Sequence, residues 1–421
     1  MQTTIFHIDV NSAYLSWSAL KRLAAGESVD LREIPSIVGG DMLKRHGVVL
    51  AKSIPAKKYG IVTGEPIVNA LRKCPSLYIE SPDHVLYHQK SEALMHYLSG
   101  ICPEIEQVSV DECFMDFTPV SNRFPSPEAA AEQIKDEVKK RFGFTVNVGI
   151  SDKKVLAKMA SDFRKPDLVH TLYSHEIQKK MWPLPVSSLY MCGKSSTQAL
   201  QKLEIRTIGD LARADKSIIA AHLKSHGILL WEYANGIDHS PVLSTPTEAK
   251  GIGNSTTLPA DVVTRKEACL CLLSLSDSVA GRLRHAHQLA GMISVEIKYS
   301  DFQTASHQMA LPTPTNTSQI IYDSACRLFD ELWSGAPIRL LGVRSSKLTD
   351  TSQPTQLSLF DLAPAQDEKS APVSGHRSIS PSVEKLNALD KTLDSIRQKY
   401  GKDAIVRGSL LTDKPSGKRP K

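Results

Sequence analysis

The spacing of apolar residues predicts alternating strands and helices at the start of the chain. "TIFHIDV" (residues 4–10) is typical of a buried strand, and the apolar positions of "NSAYLSWSALKRL" (11–23) recur at helical spacing. "FTVNVGIS" (144–151) and "KKVLAKMASDF" (153–163) predict a further strand and helix. We therefore expect an α+β fold with the helices of this part on one side of a sheet.

One helix is marked at both ends. "SPEAAAEQIKDEVKKRFG" places Ser126 as N-cap, Pro127 at the first helical position and Gly143 as the stop, with acids early and bases late. These local signals predict the helix bounds directly.

The later chain has three different patterns. "MCGKSSTQALQKLEIRTIGDLARAD" (191–215) predicts two short helices around a turn that contains glycine. A long helix and two strands then predict a second α+β unit that ends near Leu348. Residues 349–382 are polar and rich in proline, which is typical of disorder, and helical periodicity returns from Val383 to Tyr400.

Composition narrows the class of protein. The chain has 421 residues, 41% of them hydrophobic, which is enough for two to four domains with sizeable cores. A net charge of +6 agrees with a polyanionic partner. The seven cysteines form no CxxC pair, and no stretch reaches about 18 apolar residues, so we expect a cytoplasmic protein without membrane insertion.

Acidic residues supply the candidate chemistry. Asp111 and Glu112 are adjacent in "VSVDECFMDF", and Asp9 stands at the end of the first predicted strand. Two carboxylates about 4 Å apart repel by roughly 4 kcal/mol at a protein surface. Either the pair lies in a solvated turn, or cations with oxygen ligands hold the carboxylates together. If all three meet in one sheet, two magnesium ions would neutralise them, as in two-metal phosphoryl transfer.

Three stretches together resemble the palm motifs of the Y-family translesion DNA polymerases, the group of bacterial DNA polymerase IV and the UmuC-like proteins. They are "FHIDVNSAYLSW", "VSVDECFMDFT" and "NVGISDKKVLAKMASDFRKPD", and the resemblance extends from Ile5 to about Lys347. It implies an α+β right-hand polymerase. The implied domains are palm (1–20 and 76–170), fingers (21–75), helical thumb with a helix-hairpin-helix (171–240), linker (241–249), α+β little finger (250–348) and flexible tail (349–421).

The resemblance also implies roles for single residues. Asp9, Asp111 and Glu112 match the catalytic carboxylates, which bind two Mg²⁺ ions together with the backbone carbonyl of Val10. Tyr14 matches the aromatic steric gate against ribonucleotides, although a core aromatic on an amphipathic helix is the alternative. Lys165 in "RKPD" matches the lysine that contacts the incoming triphosphate.

The fingers and thumb depart from the family pattern. Where the family commonly has Tyr and Arg in "YPAR", this chain has Ile54 and Lys57, and Lys57 offers a phosphate charge without the planar fork of arginine. Asn11 replaces a frequent second aspartate, as in the UmuC-like proteins. In the thumb, Gly193 and Lys194 are the predicted DNA-phosphate contacts.

The little finger is the extra DNA-binding domain of the family. Its basic residues are candidate contacts to the DNA backbone, but a solvated charged surface explains each of them equally well. They are Arg265, Lys266, Arg282, Arg284, Lys298, Arg339, Arg344 and Lys347.

"QLSLF" in the tail resembles the bacterial sliding-clamp peptide. Its predicted binding residues are Gln356, Leu357, Leu359 and Phe360, where apolar anchors and a glutamine suit a groove on the clamp.

The predicted function is template-directed DNA synthesis across damaged template by a monomer that uses deoxynucleoside triphosphates, primer-template DNA and the sliding clamp. A non-catalytic DNA- and clamp-binding accessory factor is the alternative. A nucleotidyl cyclase, suggested by "GGD" at Gly39–Asp41, leaves the helix-hairpin-helix and clamp peptide unexplained.

Overall fold

The chain forms two units, one ending at residue 247 and the other beginning at residue 248. A computed structural model describes residues 3–41, 47–245, 248–352, 383–401 and 404–410. The first unit contains β1 (Ile5–Val10), α1 (Ala13–Ala24), β2 (Ser36–Gly39), β3 (Val49–Lys52), α2 (Ile54–Lys58), α3 (Ile67–Lys73), β4 (Tyr78–Glu80), α4 (His84–Ser99), β5 (Ile105–Gln107), β6 (Glu112–Asp116), α5 (Pro127–Phe142), β7 (Val146–Ser151), α6 (Lys154–Ser161), β8 (Val169–Thr171), α7 (Ile177–Lys180), α8 (Lys194–Lys202), α9 (Ile208–Arg213) and α10 (Lys216–Ala234).

β1 is the central strand of a five-stranded sheet with the order β5-β6-β1-β7-β8. It pairs antiparallel with β6 and with β7, and its register sets Asp9 opposite Glu112. On one face, Phe6 and Ile8 pack into a core shared with α1, α4 and α5. This core fixes the strand that carries the first predicted carboxylate.

The prediction of helices on one side of this sheet is wrong, because α6 packs on the opposite face. Ile5 and Phe114 there join Ala157 of α6 in a smaller apolar cluster. Gly149 of β7 permits this approach: a Cβ atom at that position would lie 2.0 Å from the Ala157 carbonyl oxygen. Both faces of β1 are therefore covered. The apolar pattern of the strand alone does not show whether helices cover one face of the sheet or both.

The predicted bounds of α5 are confirmed. The Ser126 hydroxyl accepts a hydrogen bond from the Ala129 N–H at 3.1 Å, and Pro127 begins the helix. Gly143 ends it with a φ of 76°, in the left-handed region where glycine carries no Cβ penalty.

The expectation of a glycine in the turn between the two thumb helices is wrong. The turn between α8 and α9 comprises residues 203–207, which contain no glycine. Gly193 is instead the N-cap of α8, and Gly209 lies inside α9. The Thr207 hydroxyl accepts a hydrogen bond from the Asp210 N–H and so caps the start of α9. A threonine N-cap, and not a glycine, therefore ends this turn.

The second unit is a four-stranded antiparallel sheet of order β11-β10-β12-β9, with helices packed on it. Its last strand continues two residues past the predicted end at Leu348, because Leu289 and Gln288 still pair with Thr349 and Asp350. Its elements are β9 (Gly251–Val262), α11 (Arg265–His285), β10 (Gln288–Tyr299), β11 (Thr304–Thr315), α12 (Ser318–Leu332), β12 (Ile338–Asp350) and α13 (Val383–Tyr400).

α13 is the helix predicted within the tail, and it packs on the second unit through buried charges. Arg284 of α11 contacts Asp390 at 3.1 Å and Asp394 at 2.5 Å, with only 10% of the arginine side chain and 4% of the Asp390 side chain exposed. Asp390 also accepts a hydrogen bond from the Ser318 N–H at 2.7 Å, which caps the start of α12. α13 is therefore part of the second unit.

Other predictions about the tail remain open. Gln356–Phe360 lie outside the described residues, as does most of the segment predicted to be disordered. Within the described part of the chain, no helix combines the length and apolar content needed to cross a bilayer.

We expect Asp390→Ala to destabilise the second unit by about 3 kcal/mol, because it leaves Arg284 buried without its most enclosed partner and α12 without its cap. Native-state hydrogen exchange at the first turn of α12 measures the free energy of opening there, separately from the unfolding of the first unit. Lys391→Ala, at the exposed neighbouring position, should change this free energy of opening by no more than about 0.5 kcal/mol. Unchanged protection of α12 in Asp390→Ala would contradict the capping role.

Candidate active site

Asp9 and Glu112 are cross-strand neighbours on the face of the sheet that α6 covers. Asp9 is near the end of β1 and Glu112 begins β6, and the two residues are register partners. Their side chains are 13% and 23% exposed. Like charges directly opposite each other destabilise a sheet, so this pair needs compensating positive charge.

Two lysines supply that charge. Lys158 of α6 places its Nζ 2.7 Å from Glu112 Oε2 and 3.5 Å from Asp9 Oδ2. Lys165 Nζ lies 2.7 Å from Asp9 Oδ2 and 2.8 Å from Asp162 Oδ1. Lys158 thus bridges the two partly buried carboxylates, and Lys165 adds a second ammonium group at Asp9.

These contacts shift the pKa values in opposite directions. The approach of the His7 imidazole, followed by the hydrogen bond and charge of Lys158, lowers the pKa of Glu112 to about 2 against the effect of burial. Burial opposes the charged form of Lys158, but Glu112, Asp9 and Asp162 outweigh it and raise the pKa of the ammonium group. Glu112 is therefore an anion and Lys158 a cation at neutral pH.

Asp111 is directed elsewhere in this structure. Its Oδ1 accepts a hydrogen bond from the Ser109 hydroxyl at 2.5 Å, and its carbonyl accepts one from the Val10 N–H at 2.9 Å. Among the described residues, no three His, Cys, Asp or Glu side chains converge as a metal-binding group. The structure pairs Asp9 with Glu112 and anchors Asp111 beside Val10, and the catalytic roles of all four stay predictions.

The donors nevertheless suit a hard divalent cation. Carboxylate and backbone carbonyl oxygens are the ligands that such ions take, and the Asp9 and Glu112 carboxylates already bind positive charge from Lys158. The residues present fit a metal site at the end of β1.

Tyr14, in the first turn of α1, lies against a second tyrosine. Its ring stacks on Tyr87 with centroids 4.3 Å apart and an angle of 8° between the planes, and it meets His84 edge-on at 6.0 Å. Burial, followed by the charge of Asp111, raises the pKa of the Tyr14 hydroxyl. The ring is only half-buried, so one part is held by packing while the rest remains accessible. Its gate role stays a prediction.

Lys57 is exposed on α2, a short helix that Ser53 caps. Burial, followed by the charge of Lys57, lowers the pKa of the nearby Lys52. Lys52 and Lys57 therefore concentrate positive charge around β3. Ile54, at the start of the same helix, is 54% exposed.

Some basic residues of the second unit form contacts within that unit. Arg284 is enclosed by α13 and also donates to the Asn316 carbonyl at 2.8 Å, so we exclude it as a DNA contact. Arg265 forms a pair of hydrogen bonds with Asp330. In the first unit, by contrast, Gly193 and Lys194 are exposed at the start of α8.

Two residues of the site were missed in the sequence. Lys158 lies in α6, seven positions before Lys165, and buried His7 precedes Asp9 by two strand positions. Alternation along β1 already puts His7 and Asp9 on one face, which was the available signal. Contact between α6 and that face was not predictable from local pattern.

Comparisons with known proteins identify the family. The model of the impB/mucB/samB family matches residues 8–162, and the model of its C-terminal domain matches residues 249–359. DNA polymerase IV of Clostridium acetobutylicum is 47% identical over 411 residues, which cover 98% of this chain and 99% of the relative. DNA polymerase IV of Alkaliphilus oremlandii is 36% identical over 413 residues, covering 98% of this chain and all of the relative. The chain belongs to the impB/mucB/samB family.

The fold comparison agrees with this family. A solved Y-family DNA polymerase chimera matches with a TM-score of 0.70 at 20% identity, over 82% of this chain and 99% of the chimera. The predicted Y-family fold and the predicted enzyme class, a DNA polymerase, are confirmed. Membership of the DNA polymerases implies that the substrates are DNA and nucleotides and that the activity depends on divalent metal ions. α13 lies beyond the range that the C-terminal family model matches.

We expect Lys158→Met to lower the free energy of unfolding of the first unit by about 1 to 3 kcal/mol at pH 7 without metal, because it leaves Glu112 without its lysine partner and Asp9 with Lys165 alone. Because the folded-state pKa of Glu112 is lowered to about 2, its stabilising contribution is present above about pH 4.5. The difference between variant and parent should shrink as the pH falls below 4.5, and millimolar Mg²⁺ should reverse part of it at pH 7.

Urea unfolding followed at several pH values measures this effect. Lys153→Met, at the N-cap of α6, is the matched control, because Lys153 pairs with no carboxylate in the described part of the chain. A loss in Lys158→Met that does not depend on pH would indicate packing rather than charge.

Proposed function

We propose that this polymerase extends a primer along damaged template DNA by nucleotidyl transfer at the end of β1. The observation that carries the proposal is the cross-strand pairing of Asp9 with Glu112, partly buried and bridged by Lys158. The family relationship supports the reaction class. A non-catalytic accessory factor would not need such a costly arrangement of charge.

We further propose that Asp9, Asp111, Glu112 and the Val10 carbonyl hold two Mg²⁺ ions. When bound, such ions lower the pKa of the attacking primer hydroxyl and stabilise charge on the leaving pyrophosphate. Glu112 is ready for this role without losing a proton, since its pKa is already about 2. The Asp111 side chain is the ligand that must exchange Ser109 for another partner.

The lysines have separate proposed roles around the triphosphate. Lys165 is anchored by Asp9 and Asp162, and a cation there would offset charge that builds on the β- and γ-phosphates during transfer. Lys57 is exposed and lacks a planar guanidinium, so it would add attraction without fixing the phosphate orientation. Tyr14, held by Tyr87, would exclude a ribose 2′-hydroxyl.

DNA contacts are proposed at the thumb and in the second unit. At the exposed start of α8, Lys194 offers a cation to a phosphate and Gly193 leaves open space beside it, while the Gly193 N–H already donates to the Met191 carbonyl at 3.1 Å. The second unit would act as the little finger. We place the enzyme in the cytoplasm, in agreement with its seven free cysteines, and propose that it acts as a monomer.

Asp111→Ala should abolish primer extension, with at least a 1,000-fold loss as roughly expected when a charge-stabilising group is removed from an active site. Binding of primer-template DNA should remain within about threefold of the parent. Extension on undamaged and lesion-containing templates, with DNA affinity measured in parallel, checks both statements. Retained extension in Asp111→Ala would refute the two-metal proposal.

Tyr14→Ala should raise ribonucleotide incorporation relative to deoxynucleotide incorporation by about tenfold or more, because it removes the ring from the proposed 2′-hydroxyl position. Tyr14→Phe keeps the ring and its stacking on Tyr87 and is the matched control. Single-nucleotide kinetics with paired ribo- and deoxynucleotides measure the ratio. If both variants behave alike, the ring is not the gate.

We propose, from sequence alone, that "QLSLF" binds the bacterial sliding clamp through Gln356, Leu357, Leu359 and Phe360. Deleting the five residues should reduce the length of products made with the clamp present and leave clamp-free extension unchanged. Equal loss in the two assays would refute clamp binding.

A further inference from the structure

A buried histidine stands directly behind Glu112. His7 lies on β1 two positions before Asp9, and its side chain is 1% exposed. The Phe114 ring meets the imidazole edge-on with centroids 4.8 Å apart. On the side of α6, His7 Nδ1 is 2.8 Å from the Ser161 hydroxyl. Packing and one hydrogen bond therefore fix the plane of the ring.

The other ring nitrogen faces the proposed metal ligand. His7 Nε2 is 3.4 Å from Glu112 Oε2, and it forms no well-aligned hydrogen bond within the described part of the chain. A buried nitrogen without a partner lowers the stability of the folded state, so packing alone does not explain a histidine at this position. A small rotation of the carboxylate toward the ring completes the bond.

Electrostatics decide which ring nitrogen carries the proton. An unprotonated Nε2 would direct its lone pair at the Glu112 carboxylate, which is repulsive. The stable neutral arrangement has the proton on Nε2, facing Glu112, which leaves Nδ1 as an acceptor. The Ser161 hydroxyl oxygen lies 2.8 Å from Nδ1 and 2.8 Å from the Lys158 carbonyl, so in this arrangement its single proton turns from the carbonyl to Nδ1. Ser161, His7 and Glu112 then form a chain from α6 through β1 to the start of β6.

Two groups thus act on one carboxylate oxygen from different elements. Lys158 approaches Glu112 Oε2 at 2.7 Å, whereas His7 approaches the same atom from within the sheet. Lys158 has a flexible side chain and also contacts Asp9, so it cannot define one carboxylate orientation. The imidazole is rigid and can.

We propose that His7, anchored by Ser161, is a positioning residue that sets the orientation of Glu112 and thereby the affinity of the site for divalent metal. The proposal rests on the metal-ligand role of Glu112 given under the proposed function. Residues that orient metal ligands typically change metal affinity by about 10- to 100-fold when mutated. In this proposal His7 acts through Glu112 and does not itself bind substrate or metal.

The test compares His7→Gln with His7→Met in the full-length protein bound to primer-template DNA. The glutamine amide can keep an N–H directed at Glu112, whereas methionine has similar length and no donor. We expect Mn²⁺ binding, measured by electron paramagnetic resonance of the free ion, to weaken about 10- to 100-fold in His7→Met and no more than about threefold in His7→Gln. Ser161→Ala, which removes the anchor of the ring, should fall between the two.

Two further measurements separate positioning from a structural role. Thermal unfolding should shift to lower temperature in both His7→Gln and His7→Met, since both lose the aromatic ring, so lost packing alone would not separate the two variants in Mn²⁺ affinity. In single-nucleotide kinetics, the metal concentration for half-maximal rate should rise in His7→Met, while the rate at saturating metal should stay within about threefold of the parent.

Glu112→Gln distinguishes the two levels of the proposal. If Glu112→Gln weakens Mn²⁺ binding but His7→Met does not, or if His7→Gln loses as much affinity as His7→Met, the positioning role is wrong and the metal site stands. If Glu112→Gln binds Mn²⁺ like the parent, the ligand role of Glu112 fails and the role of His7 fails with it.

Discussion

The structure depends on one strand register, which puts Asp9 of β1 directly opposite Glu112 of β6. Two carboxylates at adjacent sheet positions repel, and they are too enclosed for water to screen fully. Lys158 and Lys165 counter this repulsion from the α6 side. The same attraction for positive charge makes the position suitable for divalent ions, so local instability and function have one physical origin.

The two faces of β1 divide stability from chemistry. Phe6 and Ile8 enter the main core of the first unit, which holds the strand in place. His7 and Asp9 alternate with them and face α6, where polar side chains meet under partial burial. A rigid apolar face thus supports a charged face, and a one-residue slip in register would exchange them.

Local signals predicted much of this fold, and long-range contacts account for what they missed. Ser126 and Gly143 mark α5 because a cap is made by neighbours in the chain. The three carboxylates were singled out by their positions in and beside predicted strands, and Tyr14 was assigned through the family resemblance. The cover of the second sheet face by α6 was missed because it depends on Gly149 allowing two backbones to approach. Likewise, Asp390 caps α12 from a helix 72 positions away, and no local pattern reveals that Arg284 is enclosed.

Anomalous scattering from Mn²⁺ would test most directly whether this strand register builds a two-metal polymerase site. The crystal would contain the enzyme, primer-template DNA and a non-hydrolysable deoxynucleotide. We predict two peaks about 3.5 to 4 Å apart, with carboxylate oxygens of Asp9 and Glu112 in contact with the ions and Asp111 turned away from Ser109. Peaks remote from Asp9 and Glu112, or none beside the nucleotide, would contradict the proposed site.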